Sequence, residues 1–255
     1  MRFHVIGAAL ALLFVGTGAA QAQTTGFDTC LVLSGGGARG MTHIGVIKVL
    51  ERERIPVDCI VGTSMGAVPE FAVKAAERER RKAEDRSFVA KGGFGLRDGK
   101  LGVPPSVFEG QRLAVALRAA LLPSANIQRF DDLPIPFRAI GTDLETGDAV
   151  AMDHGDLVNA VRASMAVPGA FAPVSYEERS LIDGGVSLNL PVEIAQGWGA
   201  KRIIAVDIAA PLKKREQLLD PFSITDQMVT ASMLKETKRK RERLGAGDVQ
   251  IIPQL

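Results

Sequence analysis

Histidine, cysteine and aromatic side chains are scarce in this sequence. Its 255 residues include three histidines, two cysteines, one tryptophan and one tyrosine, and aromatic residues make up 5% of the chain. Basic and acidic residues nearly balance, 31 against 29, so the charge gives no general case for a nucleic-acid partner. No group of residues has the spacing of metal ligands, and we expect neither a metal nor another cofactor. The apolar share of 46% suits one α/β domain with a large core.

The apolar run at the N-terminus, Val5–Val15, is shorter than the ~20 residues that a membrane-spanning helix needs. A short positive start precedes it, and Ala20-Gln21-Ala22 follows with the small-x-small form of a cleavage site. We therefore expect residues 1–22 to be a signal peptide and residues 23–255 to be one exported domain, periplasmic or secreted. An uncleaved anchor is the less favoured alternative.

The only two cysteines, Cys30 and Cys59, each lie in an apolar stretch that predicts a buried strand. An oxidising compartment permits a disulfide. The two residues stand at the same offset before Gly35 and before Ser64, which places them in neighbouring strands. We expect two buried free thiols there rather than a bridge.

The segment Gly62-Thr63-Ser64-Met65-Gly66 follows a strand predicted at Cys59–Val61. The Gly-x-Ser-x-Gly pattern is typical of a tight turn from a strand into a helix, where the flanking positions must carry no side chain. Gly62 and Gly66 meet that requirement. Ser64 then projects above the sheet beside a helix N-terminus, so the pattern predicts that its hydroxyl is a nucleophile that a substrate can reach.

A second glycine-rich segment, residues 35–40, joins a strand predicted at Thr29–Leu33 to a helix that starts near Met41. Its G-x-G-x-x-G pattern is compatible with a dinucleotide-binding loop, but the second strand does not end in the acidic residue that would bind the ribose. The alternative is an oxyanion hole made by consecutive backbone N–H groups at Gly35, Gly36 and Gly37. We favour the oxyanion hole because, beside a nucleophile, it completes one site.

Histidine offers little support for a Ser-His-Asp triad. His43 lies one turn into the first helix, where a satisfied structural histidine is favoured over a base for Ser64. His154 lies in a polar turn and is expected to cap the next helix. No histidine follows it, although the α/β-hydrolase order Ser, Asp, His requires one after the acid. A group other than histidine is therefore expected to activate Ser64.

Asp183 is the second informative residue, because it ends the short apolar strand Leu181-Ile182 and precedes Gly184 and Gly185. In open α/β sheets the ligand crevice lies beyond the carboxyl ends of the strands, and Ser64 and Asp183 both occupy strand ends. The paired glycines would let Asp183 approach another backbone closely. An ordinary turn aspartate is the alternative.

The remaining patterns predict an apolar loop, a basic helix end and further helices and strands. Residues 166–173 form an apolar loop that either lines an acyl pocket or is a packed connection. The last predicted helix ends in Lys235–Arg243, whose net charge is +4, six basic minus two acidic residues. This end either contacts anionic lipid headgroups or, as we favour, is a solvated face.

The predicted elements are a helix over 68–76, a hairpin over 94–103, a helix over 111–122, a strand pair at 137–140 and 149–152, a helix over 158–163, a helix starting near Asn189, a strand over 202–207, a helix over 223–243 and a strand over 249–252.

Three motifs in this order, residues 35–40, 62–66 and 183–185, strongly resemble the bacterial patatin-like phospholipases, with supporting stretches at 142–147 and 163–169. The resemblance implies a three-layer α/β/α fold with a mostly parallel central sheet. It implies a Ser–Asp dyad in which Ser64 is the nucleophile and Asp183 its partner. The glycine loop becomes the oxyanion hole, Arg39 helps to hold that loop, and the expected reaction is metal-free hydrolysis of lipid acyl esters.

The resemblance has one departure, beside the expected active site. In relatives the helix after the serine continues through more apolar residues, whereas here the chain passes soon after Ala67 into a charged run. This shortening keeps two alternatives open beside a lipid acyl hydrolase that contacts a membrane surface. One is a non-catalytic lipid-binding domain with a damaged pocket, and the other is a general serine esterase.

Overall fold

The computed structural model describes residues 26–68, 95–97, 100–102 and 111–254. Its helices are α1 (Met41–Arg52), α2 (Gln111–Leu121), α3 (Leu157–Ser164), α4 (Val192–Gly197) and α5 (Pro221–Arg241). Its strands are β1 (Thr29–Leu33), β2 (Cys59–Thr63), β3 (Gly95–Arg97), β4 (Lys100–Gly102), β5 (Phe137–Asp143), β6 (Ala149–Met152), β7 (Val174–Tyr176), β8 (Arg179–Asp183), β9 (Arg202–Val206) and β10 (Val249–Ile251).

One eight-stranded sheet has the order β10-β9-β1-β2-β5-β8-β7, with β6 paired to β5. The strands from β10 to β5 in this order run parallel, whereas β6, β7 and β8 join by antiparallel pairing. The central parallel strands β1, β2 and β9 are buried on both faces, which explains why they are apolar runs without alternation. The sheet is therefore mostly parallel, as predicted.

Helices cover both faces of this sheet. Side chains alternate along β1, so Leu31 and Leu33 pack into a core that includes residues of α1, α2 and α3. Cys30 and Val32 face the opposite side, where α4 packs. This arrangement confirms the predicted three-layer α/β/α class. None of the described helices has both the length and the apolar character to cross a membrane.

Most predicted elements are present with ends shifted by a few residues. The hairpin is confirmed as the antiparallel pair β3–β4, and the strand pair as β5–β6. The long helix starts at Pro221, two residues before the predicted start, because the Asp220 carboxylate accepts the Ser223 N–H at 2.9 Å as its N-cap. The helix predicted over 68–76 and the predicted signal peptide lie outside the described residues, apart from Val68.

His154 does not cap the next helix, so that prediction is wrong. Asp156 is the N-cap of α3, where its carboxylate accepts the N–H groups of Val158 and Asn159. The imidazole of His154 instead lies between the carboxylates of Asp153 and Glu177. Both contacts raise the pKa of this exposed histidine, the hydrogen bond to Asp153 most of all. A carboxylate two residues later is simply the better acceptor for helical N–H groups.

Cys30 and Cys59 form a disulfide, so the expected pair of free thiols is also wrong. The two residues are register partners in the parallel β1–β2 ladder, and their Cα atoms lie 4.6 Å apart. That separation lies within the range that a disulfide spans. The sequence pattern placed the cysteines in adjacent strands, but only the strand register brings their side chains side by side.

Reducing this disulfide is expected to lower the free energy of unfolding by about 2–4 kcal/mol, because the bridge restricts the unfolded chain. The bridged residues are separated by 29 positions, a long enough loop for a sizeable effect. Urea denaturation of the wild type with and without reductant measures the change. The double variant Cys30→Ala/Cys59→Ala is the control, since its midpoint should not respond to reductant. Equal midpoints for the oxidised and reduced wild type would contradict the prediction.

Candidate active site

Ser64 and Asp183 come together because β2 and β8 approach each other end to end along one edge of β5. Thr63, the last residue of β2, pairs with Ile140, and Asp183, the last residue of β8, pairs with the next residue, Gly141. Strand β6 occupies the other edge of β5. Since β2 runs parallel to β5 and β8 antiparallel, their carboxyl ends face each other. Both residues occupy strand ends as predicted, but a return strand, not the shared edge of a parallel sheet, brings in Asp183.

The turn at Ser64 has the strained backbone that its sequence pattern predicts. Ser64 has φ of 54°, in the left-handed region that residues other than glycine rarely adopt. Its two flanking glycines allow this turn: a Cβ on Gly66 would lie 2.2 Å from the Leu33 oxygen, and one on Gly62 would lie 2.2 Å from the Gly66 oxygen. A short 3-10 turn, Ser64–Ala67, follows at once. Such strain costs about 1–3 kcal/mol and persists where neighbouring contacts enforce it.

The Ser64 hydroxyl donates a hydrogen bond of 2.6 Å to Oδ2 of Asp183. The other carboxylate oxygen, Oδ1, accepts the Gly185 N–H at 2.8 Å. The backbone of Asp183 is held as well, because the Thr142 hydroxyl donates to its carbonyl oxygen and its N–H donates to Ala166, both at 2.9 Å. The carboxylate is thus fixed in orientation toward the serine.

Gly184 and Gly185 allow the chain after Asp183 to approach another backbone closely, as the sequence suggested. A Cβ on Gly184 would lie 2.1 Å from the Ile140 carbonyl oxygen, so only glycine allows the chain to turn against β5. A Cβ on Gly185 would lie 3.0 Å from Oδ1 of Asp183 and 2.8 Å from Cε of Met233 in α5. The turn after Asp183 is therefore enclosed between the sheet and α5.

Burial gives Asp183 the protonation behaviour of a base that works near neutral pH. Ser64 and Asp183 are buried residues, 6% and 5% exposed. Loss of hydration raises the pKa of Asp183 to about 6, although the hydrogen bonds from Ser64 and Gly185 act to lower it. Ionised above that pH, the carboxylate can accept the serine proton.

Ser164 is a supporting residue whose role the sequence patterns did not reveal. Its buried hydroxyl accepts the Ser64 N–H at 2.8 Å and donates to the Ile140 carbonyl oxygen at 2.6 Å. One side chain from α3 thereby ties the strained turn to β5. Residues 163–169 support the family resemblance, but only the tertiary contact shows that the Ser164 hydroxyl holds the turn at Ser64.

Replacing Ser164 with alanine is expected to reduce kcat on the order of 10–10²-fold, because small displacements of a nucleophile have effects of that size. The buried N–H of Ser64 also loses its partner, which should lower the free energy of unfolding by about 1–3 kcal/mol. Ester hydrolysis and urea denaturation of the same preparation measure both effects. The exposed serine variant Ser175→Ala is the control. A Ser164→Ala protein with wild-type kcat would refute this positioning role.

The glycine loop lies directly beside Ser64, since a Cβ on Gly35 would be 3.0 Å from Cβ of Ser64. The N–H of Gly35 faces the Asn189 carbonyl oxygen at 3.4 Å. The N–H groups of Gly36 and Gly37 donate to no other residue in the described part of the chain, so they are available to an oxyanion. The oxyanion hole stays a prediction, and of the three predicted glycines Gly36 and Gly37 have the N–H groups without a partner among the described residues.

Arg39 and Asn189 connect this loop to neighbouring segments. The Arg39 guanidinium donates to the Ala209 carbonyl oxygen at 2.8 Å, a contact that agrees with the predicted loop-holding role. The fully buried Asn189 was not among the predicted site residues. Its side-chain oxygen would lie 2.7 Å from a Cβ on Gly35 and 3.2 Å from a Cβ on Gly185, so it separates the two glycine segments.

His43 is bonded to the backbone and not to Ser64 in this structure. Its buried Nε2–H donates to the Ser34 carbonyl oxygen at 2.9 Å. Burial lowers the pKa of the imidazole, and this effect exceeds the opposing effects of the Ser34 hydrogen bond and the Asp207 charge. A neutral imidazole with a structural hydrogen bond favours the structural interpretation over a base.

Two predictions about the walls of the site remain open. The shortened segment after Ala67 lies outside the described residues from position 69 onward. The apolar loop 166–173 begins beside the site, because the Ala166 oxygen accepts the Asp183 N–H, and Phe171 packs partly against the core. Its contribution to an acyl pocket stays a prediction. No three His, Cys, Asp or Glu side chains among the described residues cluster as metal ligands.

The family profile and the mammalian relatives indicate one family. The family profile described as Patatin-like phospholipase matches residues 31–196. Mouse Patatin-like phospholipase domain-containing protein 6 is 34% identical over 192 residues, which cover 73% of this chain and 14% of that protein. An Uncharacterized NTE family protein of Mycobacterium tuberculosis is 34% identical over 178 residues, 70% of this chain and 48% of that protein. The crystal structure of VipD from Legionella pneumophila matches with a TM-score of 0.42 and 16% identity, over 73% of this chain and 51% of that one. The chain thus spans less than half the length of these two curated relatives.

Proposed function

This chain belongs to the patatin-like phospholipase family, and from that membership and the geometry of its site we propose that it hydrolyses the carboxylic esters of lipids. The observation that carries the proposal is the 2.6 Å hydrogen bond from the Ser64 hydroxyl to the Asp183 carboxylate. It joins a strained, glycine-flanked serine to a buried base beside a loop with available N–H groups. Ser64 and Asp183 are the proposed catalytic dyad.

The reaction proceeds in two halves. Asp183 accepts the Ser64 proton as Oγ attacks the ester carbonyl, and the resulting oxyanion receives hydrogen bonds from the N–H groups of Gly36 and Gly37. Collapse of this intermediate breaks the ester bond, and the alcohol leaves with the proton from Asp183. Water then attacks the acyl group on Ser64, Asp183 accepts a proton from the water, and the fatty acid is released as Ser64 regains its proton. These steps require no metal and no other cofactor.

The substrate class is a phospholipid or lysophospholipid, cleaved as by a phospholipase A or a lysophospholipase. The family description and the printed names of the mammalian relatives support a lipid ester. A general serine esterase is the alternative with the same dyad, and a non-catalytic lipid-binding domain is the alternative without activity. The three differ in measurable ways.

Fatty-acid release from phosphatidylcholine and lysophosphatidylcholine, measured below and above the concentration at which each aggregates, separates these functions. A lipid hydrolase should release fatty acid faster from micelles or vesicles than from dispersed monomers. Hydrolysis of a short soluble ester alone would favour the general esterase. Failure to react with a fluorophosphonate probe, in well-folded protein, would favour the non-catalytic domain.

We also propose that the protein contacts a membrane surface through residues 209–233, called the rim segment below. Its first residue, Ala209, bonds to Arg39 and its last, Met233, packs on Gly185, so both ends touch the site. Between them Leu219 and Met228 are 83% and 70% exposed, and Leu212 and Ile224 are exposed as well. Apolar side chains beside a lipid hydrolase site suit insertion among lipid headgroups.

Vesicle co-sedimentation of Met228→Glu tests the membrane contact. We expect weaker binding to phosphatidylcholine vesicles with unchanged hydrolysis of a soluble ester. Val115→Glu is the matched control, because Val115 is 68% exposed on α2 and lies outside the rim segment. Equal loss of binding in both variants would refute a contact centred on the rim segment.

Export is proposed from the composition of residues 1–22, and the Cys30–Cys59 disulfide supports an oxidising compartment. The exported protein would be periplasmic or secreted. Intact-mass analysis of protein recovered from the periplasmic and culture fractions tests this proposal. A mature chain starting at Gln23 is the expected result, whereas full-length protein confined to the cytoplasmic fraction would refute it.

A further inference from the structure

An ion pair joins α5 to the segment that follows β9. Arg241 donates from Nε to Oδ2 of Asp207 at 2.6 Å, and its Nη2 contacts the same oxygen. The Asp207 side chain is 1% exposed, and its Oδ1 accepts the Ala209 N–H at 2.9 Å. A buried carboxylate needs such a partner, because an unpaired charge is costly to bury. The pair therefore fixes the backbone of residues 207–209.

That backbone is the support of the glycine loop. Ser34 N–H donates to the Val206 oxygen at 3.0 Å, and Ile208 N–H donates to the Ser34 hydroxyl at 2.9 Å. At the far end of the loop, Arg39 donates to the Ala209 oxygen at 2.8 Å. A Cβ on Gly36 would lie only 2.4 Å from the Ile208 oxygen, so the loop rests directly on this support.

The same helix holds the other side of the site. Thr237 lies one turn before Arg241, and its fully buried hydroxyl accepts the Asn189 side-chain N–H at 3.1 Å. Glu236 accepts the backbone N–H of Asn189 at 3.2 Å. Asn189 in turn lies between Gly35 and Gly185, so α5 reaches both glycine segments through Asn189 and also contacts Gly185 directly through Met233.

Not all of the basic end of α5 is a free positive surface. Lys240 contacts Glu193 and Glu236, and Arg241 contacts Asp207. Two of the six basic side chains in this stretch are thus committed to internal ion pairs. A buried ion pair is weak evidence for stability alone, because an apolar replacement is often as stable. The Arg241–Asp207 pair lies at the backbone on which the glycine loop rests, and this position indicates a role in orienting that loop.

We propose that Arg241 and Asp207 are positioning residues for ester hydrolysis, and that they set the glycine loop at the distance from Ser64 at which it binds the oxyanion. This inference rests on the proposed function. The pair neutralises a carboxylate that would otherwise repel the developing oxyanion, and it fixes the backbone on which the loop rests. It acts on the transition state, so it should affect kcat more than KM.

The test is the rate of labelling by a fluorophosphonate, whose phosphoryl oxygen occupies the oxyanion hole during attack. Arg241→Gln is expected to slow labelling on the order of 10–10²-fold, below the ~10²–10³-fold loss from deleting a donor outright. Arg241→Lys should recover part of the rate, because it keeps the charge but not the paired N–H donors. Should Arg241→Gln not fold, Arg241→Lys alone must still label more slowly than wild type.

Two controls separate positioning from general stability. Arg239→Gln removes the same charge from an exposed position of α5, and it should label at the wild-type rate. Arg138→Gln removes an arginine whose side chain is 11% exposed from an ion pair with Asp131, outside both glycine segments, and should lower stability without slowing the label. Slow labelling of Arg138→Gln to the same extent as Arg241→Gln would overturn the proposal.

A double-mutant cycle gives the decisive comparison. Because Arg39 and Arg241 act through the same loop, Arg39→Gln/Arg241→Gln should label about as slowly as the slower single variant, not at the product of the two losses. Losses that multiply in the double variant, or a wild-type labelling rate in Arg241→Gln, would overturn the positioning role. If the wild type is labelled in that case, the proposed function still stands. Absence of labelling in the folded wild type overturns the proposed function, and this inference with it.

Discussion

Replacing Ser64 with alanine is expected to abolish ester hydrolysis, with kcat lowered by at least about 10⁴-fold. In the proposed mechanism the acyl intermediate forms on its Oγ, and this hydroxyl donates a hydrogen bond of 2.6 Å to the Asp183 carboxylate. The alanine variant keeps the tight turn but cannot form the covalent intermediate. Turnover of lysophosphatidylcholine and fluorophosphonate labelling both measure the loss.

The control for Ser64→Ala is Ser232→Ala, an exposed serine on α5, which should hydrolyse and label as the wild type does. Peptide mapping of the labelled wild type should place the phosphonate on the peptide that contains Ser64. A phosphonate found on another residue, or persistent turnover in Ser64→Ala, would show that the nucleophile lies elsewhere.

Replacing Asp183 with asparagine is expected to lower kcat about 10²–10⁴-fold, the usual contribution of a general base. The amide oxygen can still accept the Gly185 N–H, so the local turn is preserved, but an amide cannot accept the serine proton. In the wild type, kcat should rise with pH through about 6, as Asp183 ionises. Persistence of that ionisation in the Asp183→Asn profile would assign it to another group.

The same substitution is expected to stabilise the fold at neutral pH. The folded pKa of Asp183 is about 6, above the ~3.9 of an exposed aspartate. Between these two values the folded state holds a proton that the unfolded state has lost, so stability falls as pH rises and stays lower above about 6. Asparagine does not ionise, and the variant should therefore be more stable by about 3 kcal/mol at pH 8.

Urea denaturation of both proteins at several pH values measures this effect. The stability advantage of Asp183→Asn over the wild type should be full at pH 8 and shrink as the pH is lowered from 6 toward 4. A variant that is less stable than the wild type at pH 8, or a difference that does not change with pH, would contradict the burial argument. A gain in stability together with a loss of activity is typical of a strained or charged active-site group.

The elements nearest the site could be predicted from local patterns because each depends on a local rule. The turn at Ser64 requires glycine on both sides, and the structure shows backbone oxygens where side chains would otherwise stand. The apolar runs of β1, β2 and β9 are buried on both faces, so their composition alone marks them as strands. The capping carboxylates of α3 and α5 follow a local rule as well, since an aspartate directly before a helix is a favoured N-cap and a better one than His154.

Contacts that depend on register could not be predicted in this way. Whether Cys30 and Cys59 form a disulfide depends on the alignment of β1 and β2, which leaves no mark within either strand. The same holds for the residues that support the site. The Ser164 hydroxyl contacts Ser64, which lies 100 positions earlier in the chain. Arg241 contacts Asp207 and acts through it on the glycine loop, and Asn189 lies between the two glycine segments. Other residues of the same types, such as Ser175, Asn126 and Arg239, are exposed, so residue type alone does not identify these positions.

By itself, the sequence determined the chemistry that is available and its order along the chain: a glycine loop, a serine at a strained turn, and an aspartate before two glycines. These depend on what a backbone can do within a few residues. The tertiary structure decided how they meet, because only strand pairing brings the carboxyl ends of β2 and β8 together at consecutive residues of β5. It also decided that Asp183 is buried, and burial is what raises its pKa to about 6 and makes it suitable as the base.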